Sequence, residues 1–219
     1  MGAAPSGAGP VRVDRRAARR QETRDEIVAA AWELVREQGL AGLAMRDLGD
    51  RVGMRAQSIY SYFASKNEIY DAMFLEGYMA FVATVAASPE TLPDGADPAV
   101  AARAEARRFA HRFFDFCTSD PVRYQLLFQR TIPDFTPSAE SYAIAVEALD
   151  TAGAALAGVS ITEPEAIDLW TAMLTGLTDQ QISNDPDGDR WNRLIDRAVD
   201  MLLRELAPRL FDDKKGNRP

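Results

Sequence analysis

The stretch from Leu43 to Tyr70 carries side chains suited to one chemistry, binding to phosphates and to the edges of stacked bases. Arg55, Gln57, Ser58, Tyr60, Ser61 and Tyr62 fall within eight positions, with Ala56 in the same run. Gln57 offers the paired donor and acceptor that match adenine, and Arg55 the fork that matches guanine or a phosphate. Tyr60 and Tyr62 suit phosphate or a thymine methyl. Ile59 and Phe63 are spaced to give this segment one apolar face, leaving the polar groups on the other. Ahead of it, Leu43, Leu48 and Val52 carry helical spacing, and Gly53 breaks the pattern as a residue able to take positive φ. Residues 44–63 therefore read as a helix-turn-helix whose second helix enters a DNA groove. Arg46 and Thr23 are further phosphate candidates.

Rival chemistries find few residues. Cys117 and His111 are each the sole member of their type, which disfavours a disulfide framework or a Cys- or His-based metal cluster. His111 lies six residues before Cys117 on the same predicted helix, hence on another face, and gives the thiol no base. One His forbids the two Glu-x-x-His pairs of a di-metal bundle. There is no Gly-rich phosphate loop. No catalytic residue, metal or cofactor is expected, and a helical-bundle enzyme stands as the alternative from another class. No apolar run approaches the ~18–20 residues of a membrane helix. Residues 1–10 lack the charged start and apolar stretch of a signal peptide. A cytoplasmic chain with no membrane partner is expected.

Length admits one large or two small domains. The net charge of −8 argues at first against a nucleic-acid partner. Its distribution reverses that reading. Residues 1–66 hold 11 basic and 8 acidic side chains, and residues 67–219 hold 14 and 25. A basic head on an acidic body approaches a polyanion one way round.

The elements that must position the Leu43–Tyr70 segment read as helices throughout. Residues 1–20 are expected to be disordered and basic, with Arg12, Arg15, Arg16, Arg19 and Arg20 either a solvated tail or an arm on phosphates or in a minor groove. Helix 1 is predicted over about 21–38, ended by Gly39. Ser65 and Glu68 form a capping box for a helix running to about Ala87, the candidate lever between head and body. After a loop at 88–98, Asp97-Pro98 and Asp120-Pro121 each supply a cap and a first-turn proline. Residues 131–137 are a Pro-rich break, and a helix rich in Ala and Gly follows over about 138–157. Thr162 and Glu165 form a second capping box. The helix they open is apolar on two sides, hence buried on two sides. Residues 184–189 form a turn before the last helix, and 212–219 a polar tail. The expected fold is all-α: a three-helix DNA-binding domain at 21–81 and a helical bundle at 82–211, about nine helices in all.

Val52-Gly53-Met54, Ile59-Tyr60-Ser61-Tyr62-Phe63 and Ser65-Lys66-Asn67-Glu68, at these separations, resemble the signature of the TetR family of bacterial transcriptional regulators. The resemblance covers roughly residues 21–81. It departs at Ala44 and Arg55, where the family usually has a capping Ser or Thr. It implies that Lys66 binds phosphate, joining Arg19, Arg20, Thr23, Arg46 and Arg55 through Tyr62 at the DNA. It also implies an apolar ligand cavity in the body, with Phe113, Phe116, Cys117, Leu127, Phe128, Tyr142, Trp170 and Met173 as lining. Read without the resemblance, these rings are core. It further implies a homodimer through the last two helices, with Leu169, Leu177, Trp191, Leu194, Ile195, Ala198 and Leu202 at the interface. Those side chains otherwise read as the core of a monomer. The function implied is a dimeric repressor released from a palindromic operator by a small apolar or aromatic inducer. An activator, or a repressor without a ligand, fits the same fold.

Overall fold

Runs free of Pro, separated at Gly39, Gly53 and three Asp-Pro or Glu-Pro steps, form helices. The computed structural model describes residues 15–85, 97–147 and 163–211, and among them no strand occurs. The helices are α1 (Arg15–Gln38), α2 (Met45–Arg51), α3 (Ala56–Ile59), α4 (Lys66–Val85), α5 (Pro98–Ser119), α6 (Pro121–Phe128), α7 (residues 139–147), α8 (Pro164–Asn184) and α9 (Ile195–Leu206). Short 3-10 turns lie at Leu40–Gly42, Asn192–Leu194 and Pro208–Phe211. The chain divides into two units between Ile69 and Tyr70, inside α4 and ahead of the expected boundary after residue 81.

In the first unit, Ile27, Ala31, Leu34 and Val35 of α1 face Leu43, Leu48, Ile59 and Phe63, all essentially sealed from solvent. Burying each Leu, Ile or Phe contributes about 1.5–3 kcal/mol, which a head of this size needs. One expectation is corrected here. The part of the basic arm that is described, residues 15–20, is the opening of α1 and not disordered. Its Ala and Arg residues are strong helix formers, and they extend a helix already nucleated by packing below. Arg12, the capping box at Thr162, the end of the α4 pattern beyond Val85, the later part of the Ala/Gly-rich helix and the tail 212–219 lie outside the described residues.

In the second unit, α5 is the spine and packs against α6, α8 and α9. Ala106, Phe109, Ala110, Phe113, Phe116 and Cys117 form its buried stripe. Phe81 of α4 sits among Phe113, Phe116 and Phe128, with ring centroids 5.2–5.9 Å apart. Asp97 caps α5 by accepting from the Ala99 amide at 2.8 Å, and Asp120 caps α6 through the Arg123 amide at 3.1 Å. Glu163 stands at the cap of α8 without a side-chain bond. Only one stripe of α8 is sealed, Ala166, Trp170, Leu174, Thr178 and Gln181, and Leu169 on another side is 51% exposed. Arg107 of α5 forks onto Asp200 of α9, which holds the guanidinium in its charged form.

Candidate nucleic-acid interface

The first unit places the reading segment by two close approaches. At the α2–α3 turn, Gly53 adopts φ 67°, the left-handed conformation that a side chain resists. Gly49, inside α2, lies so near the turn that a Cβ there would stand 2.6 Å from the Met54 carbonyl oxygen and 3.1 Å from the Ala56 nitrogen. The Met54 amide in turn donates to the Gly49 carbonyl at 2.8 Å. α2 is fixed to α1 by Arg51, whose two terminal nitrogens donate to the Glu37 carboxylate at 2.9 and 2.6 Å. That hydrogen bonding lowers the pKa of the Glu37 carboxyl. These contacts engage Arg51 with α1 at the surface of the unit and tie α2, which leads into the turn before α3, to α1.

α3 itself is one turn long, shorter than the helix the spacing predicts. Residues 60–63 continue it as tight turns, with the Ser61 amide donating to Ser58 and the Tyr62 and Phe63 amides both to Ile59. Neither Ala44 nor Arg55, at the two cap positions, makes a side-chain cap bond. Ile59 and Phe63 are fully buried, which turns the opposite side outward. Arg55, Gln57, Ser58, Tyr60 and Ser61 are exposed, Tyr60 at 49%, while Ala56 and Tyr62 are half-buried. Among the described residues, nothing covers the polar groups most suited to bases. Arg46 is exposed at the start of α2, and Lys66 is half-buried at the start of α4. There the Ser65 hydroxyl accepts from the Glu68 amide at 3.2 Å, and Glu68 accepts from the Ala64 amide at 2.8 Å.

Arg19 and Arg20 are legible in the sequence as phosphate ligands, but the geometry around them is not. Arg15, Arg16, Arg19 and Arg20 stand with Thr23 and Tyr62 around an open cleft of about 580 Å³. Arg15 and Arg19, like Arg16 and Arg20, are one helical turn apart. Like charges so placed cost a few tenths of a kcal/mol per pair, about 0.2–0.5, until a polyanion relieves them. The i, i+4 spacing was the available signal. Thr23 donates its hydroxyl to the Arg19 carbonyl at 3.1 Å. Arg20 donates to the Ser61 carbonyl at 2.5 Å and lies 5.0 Å from the Tyr62 ring centroid. Arg24, which sequence reading left out, donates to the Tyr62 carbonyl with its guanidinium 4.0 Å from the Phe63 ring centroid.

The second unit separates the expected ligand contacts. A pocket of about 170 Å³ is bounded by Phe74 and Tyr78 of α4, Leu126, Leu127 and Phe128 of α6, the segment Gln129–Pro137 in part, and Tyr142 of α7. Leu127, Phe128 and Tyr142 were expected there. Phe113, Phe116, Cys117 and Trp170 do not border this pocket and are buried in the core, and Met173 packs against that core. Burial of these rings against one another is a property of the tertiary packing, which spacing alone does not reveal. Burial pushes the pKa of the Cys117 thiol far up. The pocket wall is pinned by Asp71, which accepts from the Ser138 amide at 2.7 Å and from the Ser138 and Ser141 hydroxyls at 2.9 Å.

The expected interface residues also divide. Leu169 and Leu194 are exposed, while Leu177, Trp191, Ala198 and Leu202 are half-buried. Ile195 is a correction: it is fully buried with Val199 and Leu203, one turn apart along α9, and offers a partner no surface.

Residues 27–73 match the family profile described as bacterial regulatory proteins, tetR family. The chain is 29% identical over 125 residues to the HTH-type transcriptional regulator Rv1816 of Mycobacterium tuberculosis, covering 55% of this chain and 51% of that one. It is 28% identical over 129 residues to the HTH-type transcriptional activator FasR of Mycolicibacterium smegmatis, covering 59% and 56%. The chain spans about half the length of the curated relatives it matches. Its fold is similar to that of the TetR family transcriptional regulator PfmR from Thermus thermophilus, with a TM-score of 0.59 at 22% identity over 82% of this chain and 98% of that one. Residues 27–73 thus carry a helix-turn-helix domain of the TetR type, and the curated relatives that the chain resembles are named as transcription regulators.

Proposed function

We propose that the protein regulates transcription as a homodimer bound to a palindromic operator, most simply as a repressor, and that a small apolar molecule in the body releases it. The observation that carries DNA binding is the uncovered face from Arg55 to Ser61, flanked by the arginine cleft of α1. A face for bases beside a face for phosphates is the division that specific recognition requires. One head reads too few base pairs to be selective, and two heads a helical turn apart, about 34–36 Å, read an inverted repeat. Leu169 and Met201, 51% and 62% exposed on α8 and α9, support an apolar contact with a second copy. The pocket of about 170 Å³ is lined chiefly by apolar and aromatic side chains and is comparable to a cavity that holds one benzene, which favours a guest of about one ring. Such a guest weakens DNA binding only as far as it prefers the released state; a coupling of about 1–3 kcal/mol gives a 5- to 150-fold change.

The sign of regulation is a separate matter, since a relative such as FasR carries the name of an activator. A gel shift with the DNA upstream of the protein's own gene tests the reading. A discrete complex whose affinity falls steeply between 50 and 200 mM salt is expected. Absence of a complex with that DNA and with random-sequence duplex alike would overturn it.

A further inference from the structure

We infer that Arg24 is a positioning residue for base reading, holding the one-turn recognition helix from behind without touching the DNA. This rests on the reading that α3 binds DNA. A helix as short as Ala56–Ile59 does not hold itself together, because nucleation consumes more order than one turn of hydrogen bonds returns. Its last carbonyls, at Ser58 and Ile59, accept from the Ser61, Tyr62 and Phe63 amides of the turns that follow, and the carbonyls of those turns need donors from elsewhere. α1 supplies them. Arg20 and Arg24, one turn apart, bracket the end of the recognition segment and donate to successive carbonyls, Ser61 and Tyr62. The Arg24 guanidinium also lies within stacking distance, 4.0 Å, of the centroid of the Phe63 ring, and Phe63 is fully buried. Arg24 is itself half-buried, unlike the exposed Arg15, Arg16 and Arg19 of the cleft. A guanidinium committed to a carbonyl on its edge and a ring on its face is spent on the protein.

A lysine keeps the charge but has neither the planar fork nor the stacking face. A phosphate ligand tolerates that exchange, and a positioning residue does not. The test therefore uses the full chain with Arg24→Lys and Arg24→Ala. A duplex selected by the wild-type protein from a random pool is compared with a scrambled duplex of equal length, each over a salt series. Both variants are expected to lose roughly tenfold in affinity for the selected duplex, the scale of one lost base contact. Affinity for the scrambled duplex, and the slope of log affinity against log salt, should stay at wild-type values. The inference is overturned if Arg24→Lys reads the selected duplex as well as wild type does. It is equally overturned if both duplexes lose alike and the salt slope of Arg24→Ala falls by about 1, as for a lost phosphate contact. Far-UV circular dichroism and thermal unfolding establish that each variant's head is folded, and a folded variant that loses both duplexes alike overturns the inference whatever its salt slope. If wild type enriches no sequence, the DNA-binding reading itself fails, and that result is distinct from any difference among the variants.

Discussion

Gly49→Ala sets two opposing effects against each other at the turn that presents α3. In an exposed helix interior, replacing Gly by Ala gains about 1 kcal/mol of helix propensity. Here the added Cβ would stand 2.6 Å from the Met54 carbonyl oxygen, against 3.4 Å for ordinary contact, so the turn must retreat by about 0.8 Å. The atoms in the way are backbone, which cannot swing aside as a side-chain tip would. Overpacking of this kind costs about 1–3 kcal/mol, and it outweighs the propensity gain. We expect net destabilisation of the first unit by up to about 2 kcal/mol. Retreat of the turn also carries Arg55 and Gln57 away from their set positions, so specific DNA binding should fall further than stability alone explains. Urea unfolding followed by far-UV circular dichroism measures the first effect, and anisotropy with a selected duplex, at a temperature where the variant is fully folded, the second. A variant as stable as wild type that binds the duplex equally well would refute the close approach of α2 to the turn.

Three further outcomes follow from the same geometry. Gln57→Ala should cost about 1–3 kcal/mol on the selected duplex and little on random DNA, whereas Lys66→Ala should weaken both and reduce the salt slope by about 1; equal losses for the two variants would refute this division. Leu169→Asp with Met201→Asp changes two exposed side chains that in a lone chain should each matter by less than about 0.5 kcal/mol. Sedimentation velocity should therefore show dissociation to a folded monomer, whose melting temperature falls only by the lost stabilisation of the partner and no longer depends on protein concentration, and a variant that stays dimeric would place the interface elsewhere. Cys117, whose buried thiol is held far above its ordinary pKa, should react with a thiol reagent at neutral pH only as the body unfolds; rapid labelling of the native protein would contradict that burial.

The sequence disclosed most where chemistry and spacing coincide. Gly53 with its flanking Leu48 and Ile59 marked the turn, and Asp97-Pro98 and Asp120-Pro121 marked two helix starts, because caps and positive φ are local properties. What escaped was set by tertiary approach. Gly49 gives no local sign that backbone passes 2.6 Å from where its Cβ would be. Arg24 reads as one more charge until Phe63 is known to lie beneath it. The opening of α1 was placed too late, since a run of arginines resembles a tail when the packing that nucleates the helix is not in view. In the body, the period of the Phe stripe on α5 announced burial but could not divide core rings from pocket rings. Phe113 and Phe128 are 5.3 Å apart, yet only Phe128 borders the pocket. Ile195 failed for the same reason: an amphipathic helix shows which side is apolar, not whether its own body or a partner covers that side.

The central claim is that the uncovered side of α3 meets base edges while α1 and α4 hold phosphates. Selection of the full chain against a random-sequence duplex pool, followed by affinity measurement across a salt series, tests it most directly. Enrichment of an inverted repeat with half-sites about one helical turn apart is expected, bound with an affinity that drops steeply as salt rises. A pool that emerges unenriched, with binding as weak at low salt as at high, would contradict it.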